Sequence, residues 1–426
     1  MRRRRRRHIG VRLAAAAVIA AGAVAAIIFW PEKEEKIPPR IPVILNEYLT
    51  NSMSDTLSLA GLDKDIESYL RQNHIQGASL AIVKNDSLVY AKGYGRSDDE
   101  TEMTPRNILR LASVSKLITA VGIMVLEEQG KLSLDDHVFG EGGILSRFNS
   151  YIKDKNYHSI TVEHLLRHQG GFTVYSGDPM FSTRDIILQN HLSEAPGHDT
   201  LMQCLLKKRL SFAPGTSEAY SNFGFLILSM IIEEVTGEPY EKWMQDNVLR
   251  PAGCHDFHIA ANWYSKKYPN ETRYYMQAND PLVQCYDNSG RMVERCYGGN
   301  DIQALSGAGA WVASAPELAR FVASIDGRPQ VPDIISETSV EKMTRFIDKN
   351  TFSLGWNDTE DEWSRTGSFS GTSARIKYYP DGECWVMISN TSTWRGSRQS
   401  SYTAGLFKKS REKYSALLPV KNLFYF

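Results

Sequence analysis

The 426-residue chain is longer than one minimal domain, and with 42% apolar and 10% aromatic residues it can build a sizeable core, which excludes an intrinsically disordered protein. Its formal net charge is zero, but residues 1–30 hold seven arginines and no acid, leaving 42 basic against 49 acidic side chains elsewhere. A body of that sign excludes a nucleic-acid binder, which needs clustered Lys and Arg against phosphate.

The arginine block Arg2 to Arg7 precedes an uncharged, largely apolar run from Leu13 to Trp30. As a helix this run spans roughly 27 Å, close to the hydrocarbon thickness of a bilayer. Basic residues before it and Glu32, Glu34 and Glu35 after it predict an inside N-terminus and an exported body. Two readings stand for residues 1–30. One is an uncleaved signal-anchor, suggested by the continuation through Ile27, Ile28, Phe29 and Trp30. The other is a signal peptide cleaved near Ala23-Val24-Ala25. Both place the body in the cell envelope, in a periplasmic or extracytoplasmic compartment, with the membrane as a partner in the anchored case.

Residues 31–56, rich in Pro, Lys and Glu and then in Ser and Asn, read as a linker. The body is assigned to residues 57–418. Apolar residues at helical spacing predict an amphipathic helix over 63–72. The run from Gly77 to Val83, the turn at Lys84-Asn85-Asp86 and the run from Leu88 to Gly95 read as a β-hairpin. A strong helix is expected from Ser113 to Gln129, stopped by Gly130 at C′. The stretch of about 135–305 mixes helices (161–168, 224–236, 240–249) with long loops and reads as a mostly helical insertion. Residues 374–379 and 383–389, joined by Pro380-Asp381-Gly382, form a second hairpin pattern, and 402–415 a closing helix. Strands at both ends around a helical middle predict an α/β (α+β) fold with one antiparallel sheet flanked by helices.

The five cysteines, at 204, 254, 285, 296 and 384, include no CxxC pair. Cys285 and Cys296 flank Asp287-Asn288-Ser289-Gly290, so a disulfide-closed hairpin and two apolar fillers are both open readings. His164 and His168, at i and i+4, and His255 and His258 beside Cys254 have metal-ligand spacing, but H-E-x-x-H is missing and packing and capping are the favoured roles. No metal or other cofactor is expected. G-x-S-x-G is missing too, which argues against an α/β-hydrolase.

Three short motifs carry chemistry. Ser113-Val114-Ser115-Lys116 places Ser113 and Lys116 on one helical face, near a helix N-terminus whose positive potential favours a neutral lysine. Tyr220-Ser221-Asn222 offers a phenol that relays a proton and an amide that bonds lysine and substrate. Arg365-Thr366-Gly367-Ser368 offers a cation and a hydroxyl for a carboxylate, with a glycine that lets the strand lie close to the nucleophile.

In this order the motifs resemble S-x-x-K, Y-x-N and K-T-G or H-x-G of the serine β-lactamase and penicillin-binding protein superfamily. The middle Tyr matches the branch of class C β-lactamases, D,D-peptidases and esterases. The hairpin at 77–95 and the stretches Leu132 to Asp136, Ile160 to His168, Pro214-Gly215-Thr216, Val235-Thr236-Gly237, Pro251 to Cys254 and Gly307-Ala308-Gly309 are similar to that branch as well. The resemblance covers about residues 60–415 and implies a β-lactamase-like fold. It also implies roles. Ser113 is the nucleophile that forms an acyl-enzyme, and Lys116 and Tyr220 share the acid–base work. Asn222 orients Lys116 and bonds the substrate amide. Backbone amides of Ser113 and Ser368 form an oxyanion hole, and Arg365 and Thr366 face a substrate carboxylate beside Gly367. Arg365 departs from the family's Lys or His, and a bulky bidentate guanidinium is no simple substitute. The expected function is an envelope serine hydrolase cleaving amide or ester bonds of a small-molecule or peptide acyl substrate. The alternatives are a true β-lactamase, or a membrane-anchored penicillin-binding sensor with little turnover.

Overall fold

A computed structural model describes residues 43–172 and 177–425. The proposed membrane segment at 1–30 and the first part of the 31–56 linker lie outside the described residues. Among the described residues, no helix is long and apolar enough to cross a membrane.

Five strands form the main antiparallel sheet. They are β1 (Gly77–Lys84), β2 (Ser87–Gly95), β3 (Trp363–Phe369), β4 (Thr372–Tyr378) and β5 (Glu383–Ser389), in the order β2-β1-β5-β4-β3. Strand β5 is central and joins the chain ends, pairing Ala81 with Val386 on one side and Val386 with Ile376 on the other. Asn85 and Asp86, at φ 48° and 55°, make the tight β1–β2 turn, a left-handed pair that Asn and Asp tolerate.

Both faces of the sheet are covered. Leu80, Ile82, Trp385 and Met387 point to one side, where helices α1 (Ala60–Gln72) and α6 (Gln399–Tyr414) supply Ile66 and Phe407. Ala81, Val83, Val386 and Ile388 point to the other, into the larger core shared with α2 (Ser115–Glu128), α3 (Val162–Leu166), α4 (Asn222–Thr236) and α5 (Ala315–Ala323). A sheet buried on both faces needs apolar residues at every position, which is why β1 and β5 read as continuous apolar runs. Helix α2 has apolar residues all round, in keeping with its burial; Gly130, at φ 64°, ends it. Helix α4 is capped at both ends, by the Ser221 hydroxyl accepting from Gly224 N–H and by left-handed Gly237.

The linker reading fails over residues 43–56. Leu45 and Leu49 are buried, Val43 N–H donates to Phe424 O, and Ser54 Oγ donates to Ala91 O. Among its described residues the 135–305 region holds α4, several shorter helices and loops, and only two-residue strands, among them the hairpin of Val283–Gln284 and Met292–Val293. Cys285 and Cys296 beside that hairpin are free and buried, as are the other three cysteines, so the packing reading holds and no disulfide closes the turn.

Candidate active site

The site lies along the outer edge of β3, where the nucleophile turn packs against the sheet. Ser113 does not begin the long helix as expected. It sits in a 3-10 turn, Ala112–Val114, and the α-helix proper starts at Ser115. Ala112 has φ 47°, a left-handed conformation that costs a non-glycine residue energy and here turns the chain sharply before Ser113. Lys116 still falls on the face below Ser113.

Lys116 is completely buried. Its Nζ lies 3.3 Å from Ser113 Oγ, donates to Asn222 Oδ1 at 2.6 Å and donates to the Ala308 carbonyl at 2.7 Å. A neutral amine has two N–H groups and one lone pair. The two acceptors take the two N–H groups, and the lone pair is left for the Ser113 hydroxyl. Burial lowers the Lys116 pKa, Tyr220 pulls it back up and the Arg365 charge lowers it further, with the balance downward.

Tyr220 packs its ring 4.5 Å from His168 and 6.1 Å from Phe352, with the Lys116 amine 4.8 Å from its centroid. Burial opposes its ionisation, but the charges of Lys116 and Arg365, and hydrogen bonds from Lys116 and Ser113, outweigh burial and lower its pKa. His168 is buried, and its Nδ1 accepts from Ser221 N–H at 3.1 Å. Burial, then Lys116 and Arg365, hold it well below its ordinary pKa, so it is a neutral scaffold for the tyrosine turn. His164 forms a capping box with Thr161. Among the described residues, no group of three or more His, Cys, Asp or Glu is placed to hold a metal ion.

Asn222 starts α4, and its orientation is set by a residue that no motif announced. Asp178 Oδ2 accepts from both Asn222 N and Asn222 Nδ2, at 3.2 and 2.8 Å. An ionised carboxylate only accepts, so the amide must turn its nitrogen to Asp178 and its oxygen to Lys116. The expected orienting role therefore has a geometric cause, while the amide nitrogen, assigned to the substrate, spends a hydrogen on Asp178.

Arg365 is 1% exposed, and its Nε and Nη2 both donate to the Ser113 carbonyl, at 2.9 and 2.7 Å. Thr366 N and Oγ1 both donate to Asn357 Oδ1, at 2.7 and 3.1 Å. The carboxylate-facing role expected of this pair is thus corrected: the cation braces the nucleophile turn, and the hydroxyl braces the 357 loop. Gly367 is required by contact, since a Cβ there would strike Leu111 O and lie 3.1 Å from Ser113 N. Ser364 N–H and Thr366 N–H turn away from β4, to Asp358 O and Asn357 Oδ1. Two residues on, the period-two alternation of the edge strand turns Ser368 N–H the same way, away from β4. Lys116, Arg365 and Gly367 thus pack against the turn that holds Ser113, and Asn222 and Tyr220 pack against Lys116.

Reasoning from sequence missed Ala112, Asp178 and Asn357, and it noted Ala308 only within a similar stretch. Ala308 acts through its carbonyl, which its side chain does not advertise. Asp178 and Asn357 lie in loops where no periodicity marks them.

A family model described as Beta-lactamase matches residues 62–406. The chain is 25% identical over 331 residues to PbpX of Bacillus subtilis (strain 168), named as a penicillin-binding protein, covering 76% of this chain and 73% of that one. It is 28% identical over 225 residues to protein flp of Staphylococcus aureus (strain N315), a match spanning 52% of this chain and 42% of the relative's length. The fold is similar to that of the D-amino acid amidase from Ochrobactrum anthropi SV3, with a TM-score of 0.64 and 18% identity, covering 85% of this chain and 99% of the other.

Proposed function

The chain belongs to the beta-lactamase family, and from that premise we propose that it is an envelope serine hydrolase that cleaves ester or amide bonds through an acyl-enzyme on Ser113. The observation that carries the reading is the Lys116 amine, buried, 3.3 Å from Ser113 Oγ and held there by Asn222 Oδ1 and Ala308 O. An exposed lysine is protonated at neutral pH; burial and a second cation shift Lys116 toward the neutral form that takes a proton.

In the first step Lys116 takes the Ser113 proton as Oγ attacks the acyl carbon. Charge develops on the carbonyl oxygen, facing the amides of Ser113 and Ser368, and an oxyanion donor of this kind contributes on the order of 100- to 1000-fold. The proton passes through the Tyr220 phenol to the leaving group as the C–O or C–N bond breaks. Water then attacks the acyl-enzyme with Lys116 and Tyr220 acting in reverse. The likeness to an amidase fold and to a relative named as a penicillin-binding protein supports acyl transfer as the chemistry.

Envelope placement rests on the arginine block and the apolar run at 13–30. Fractionation of cells expressing the full chain tests it: the protein should partition with the membrane or the extracytoplasmic fraction, and a cytosolic pool would contradict it. For activity, nitrocefin, a p-nitrophenyl ester and a D-Ala-D-Ala peptide are compared side by side. Turnover of the ester that is lost in Ser113→Ala is expected. Stable acylation without turnover would point to a sensor instead, and nitrocefin as the best substrate to a β-lactamase.

A further inference from the structure

We propose that this site takes acyl donors whose leaving side is uncharged, an ester or amide without a carboxylate, because the guanidinium and hydroxyl in position to receive that carboxylate are bonded to Ser113 O and Asn357 Oδ1. The inference rests on the serine hydrolase reading and narrows it to a substrate class.

Three observations support it. Arg365 gives two of its donors to one backbone carbonyl and is 1% exposed, so a substrate carboxylate meets neither its fork nor its face. Withdrawing the guanidinium would remove two donors from the Ser113 carbonyl and loosen the nucleophile turn. Thr366 donates its hydroxyl proton to Asn357 Oδ1, leaving only lone pairs toward the cleft, and lone pairs repel a carboxylate. An aromatic pair stands at the end of β3. Phe181, 46% exposed, three residues beyond Asp178, meets Phe369, the residue after Ser368, with centroids 5.9 Å apart. That pair suits an uncharged alkyl or aryl group.

The chemistry balances without a co-reactant beyond water. Ser113 Oγ bonds the acyl carbon, the acyl–O or acyl–N bond breaks, and the serine proton leaves with a neutral alcohol or amine. Water then releases the acid.

The test uses the full chain and a matched pair of chromogenic esters, 4-nitrophenyl acetate and 3-carboxy-4-nitrophenyl acetate, each rate divided by its own hydroxide-catalysed rate. The expected result is kcat/KM at least about 10-fold higher for the uncharged ester. In Arg365→Lys and Arg365→Gln that ratio stays within about 2-fold while both rates fall, since the arginine acts on the nucleophile turn and not on the substrate. The acid limb of the pH–rate profile moves to higher pH in Arg365→Gln and returns toward wild type in Arg365→Lys, which a merely structural residue would not produce. A ratio near one, or a preference for the carboxylate ester that Arg365→Gln abolishes, overturns the inference. Equal rates in wild type and Ser113→Ala end the hydrolase reading itself, and this inference with it.

Discussion

Two serines lie within one turn of Lys116, and their surroundings separate them. Ser115 is fully buried, and its Oγ accepts from Trp311 N–H at 3.2 Å, whereas Ser113 is half-exposed at the cleft. Ser115→Ala should leave kcat within about 3-fold of wild type, yet lower unfolding stability by about 1–3 kcal/mol because the Trp311 amide loses its partner; activity and urea unfolding on the same preparation check both parts. Asp178→Ala frees the Asn222 amide to rotate and present nitrogen to Lys116. The expected result is a fall in kcat of about 10-fold or more with little change in KM. The pH profile follows from the buried lysine. Turnover requires neutral Lys116, so the rate rises with pH through a value below the 10.5 of a free lysine. A limb at or above that value would mean that the amine is not the base. At this scale the reactive side chains were legible in sequence because three motifs, each weak alone, occur together in the order of the family they resemble. Asp178 and the Ala308 carbonyl were not, since one sits in an unpatterned loop and the other is backbone.

Among the elements, β3 and the turn at 112–114 would bring the amides of Ser113 and Ser368 to one oxygen in the proposed mechanism. A Cβ at position 367 collides with Leu111 O, so Gly367→Val should force the strand away from the turn and cost at least about 100-fold in kcat. Circular dichroism of the same variant should remain native-like, because β3 lies at the edge of the sheet, with β4 as its neighbouring strand. The two hairpins were expected from sequence, and the helices expected at 63–72, 224–236 and 402–415 form at 60–72, 222–236 and 399–414. The start of α2 departs from expectation. Ser113 is a good N-cap by type, but Ala112 adopts a left-handed conformation at φ 47° that alanine rarely takes, and the helix is delayed to Ser115. Only the packing of β3 and Trp311 O around the turn, through Leu111 N–H, explains that cost.

For the molecule as a whole, one sheet assembled from both chain ends ties folding to long-range pairing. The β1–β5 register, Ala78 with Ser389 through Lys84 with Glu383, forms only after the helical middle is in place or looped out. That architecture was readable from strand patterns at both termini. The packing of residues 43–56 was not, because two short helical turns carry too few apolar positions to show a period. A buried carboxyl pair adds a global pH dependence. Burial, and for Asp326 the neighbouring Asp86 charge, raise both pKa values above the usual carboxylate range. The folded chain therefore keeps a proton that the unfolded chain releases above about pH 4. Stability present below that pH is lost as the pH rises through neutrality, and Asp86→Asn should recover on the order of 1–3 kcal/mol at pH 8, read from denaturant midpoints. A midpoint lower than wild type at pH 8 would contradict this assignment.

The most direct test of the central claim is mass mapping of the full chain after brief reaction with a fluorophosphonate and, separately, with a fluorescent penicillin. The arrangement around Lys116 predicts a single adduct on the peptide containing Ser113, retained in Ser115→Ala and lost in Ser113→Ala. An adduct on Ser115 or on a residue outside the cleft, or labelling that survives Ser113→Ala, would contradict it.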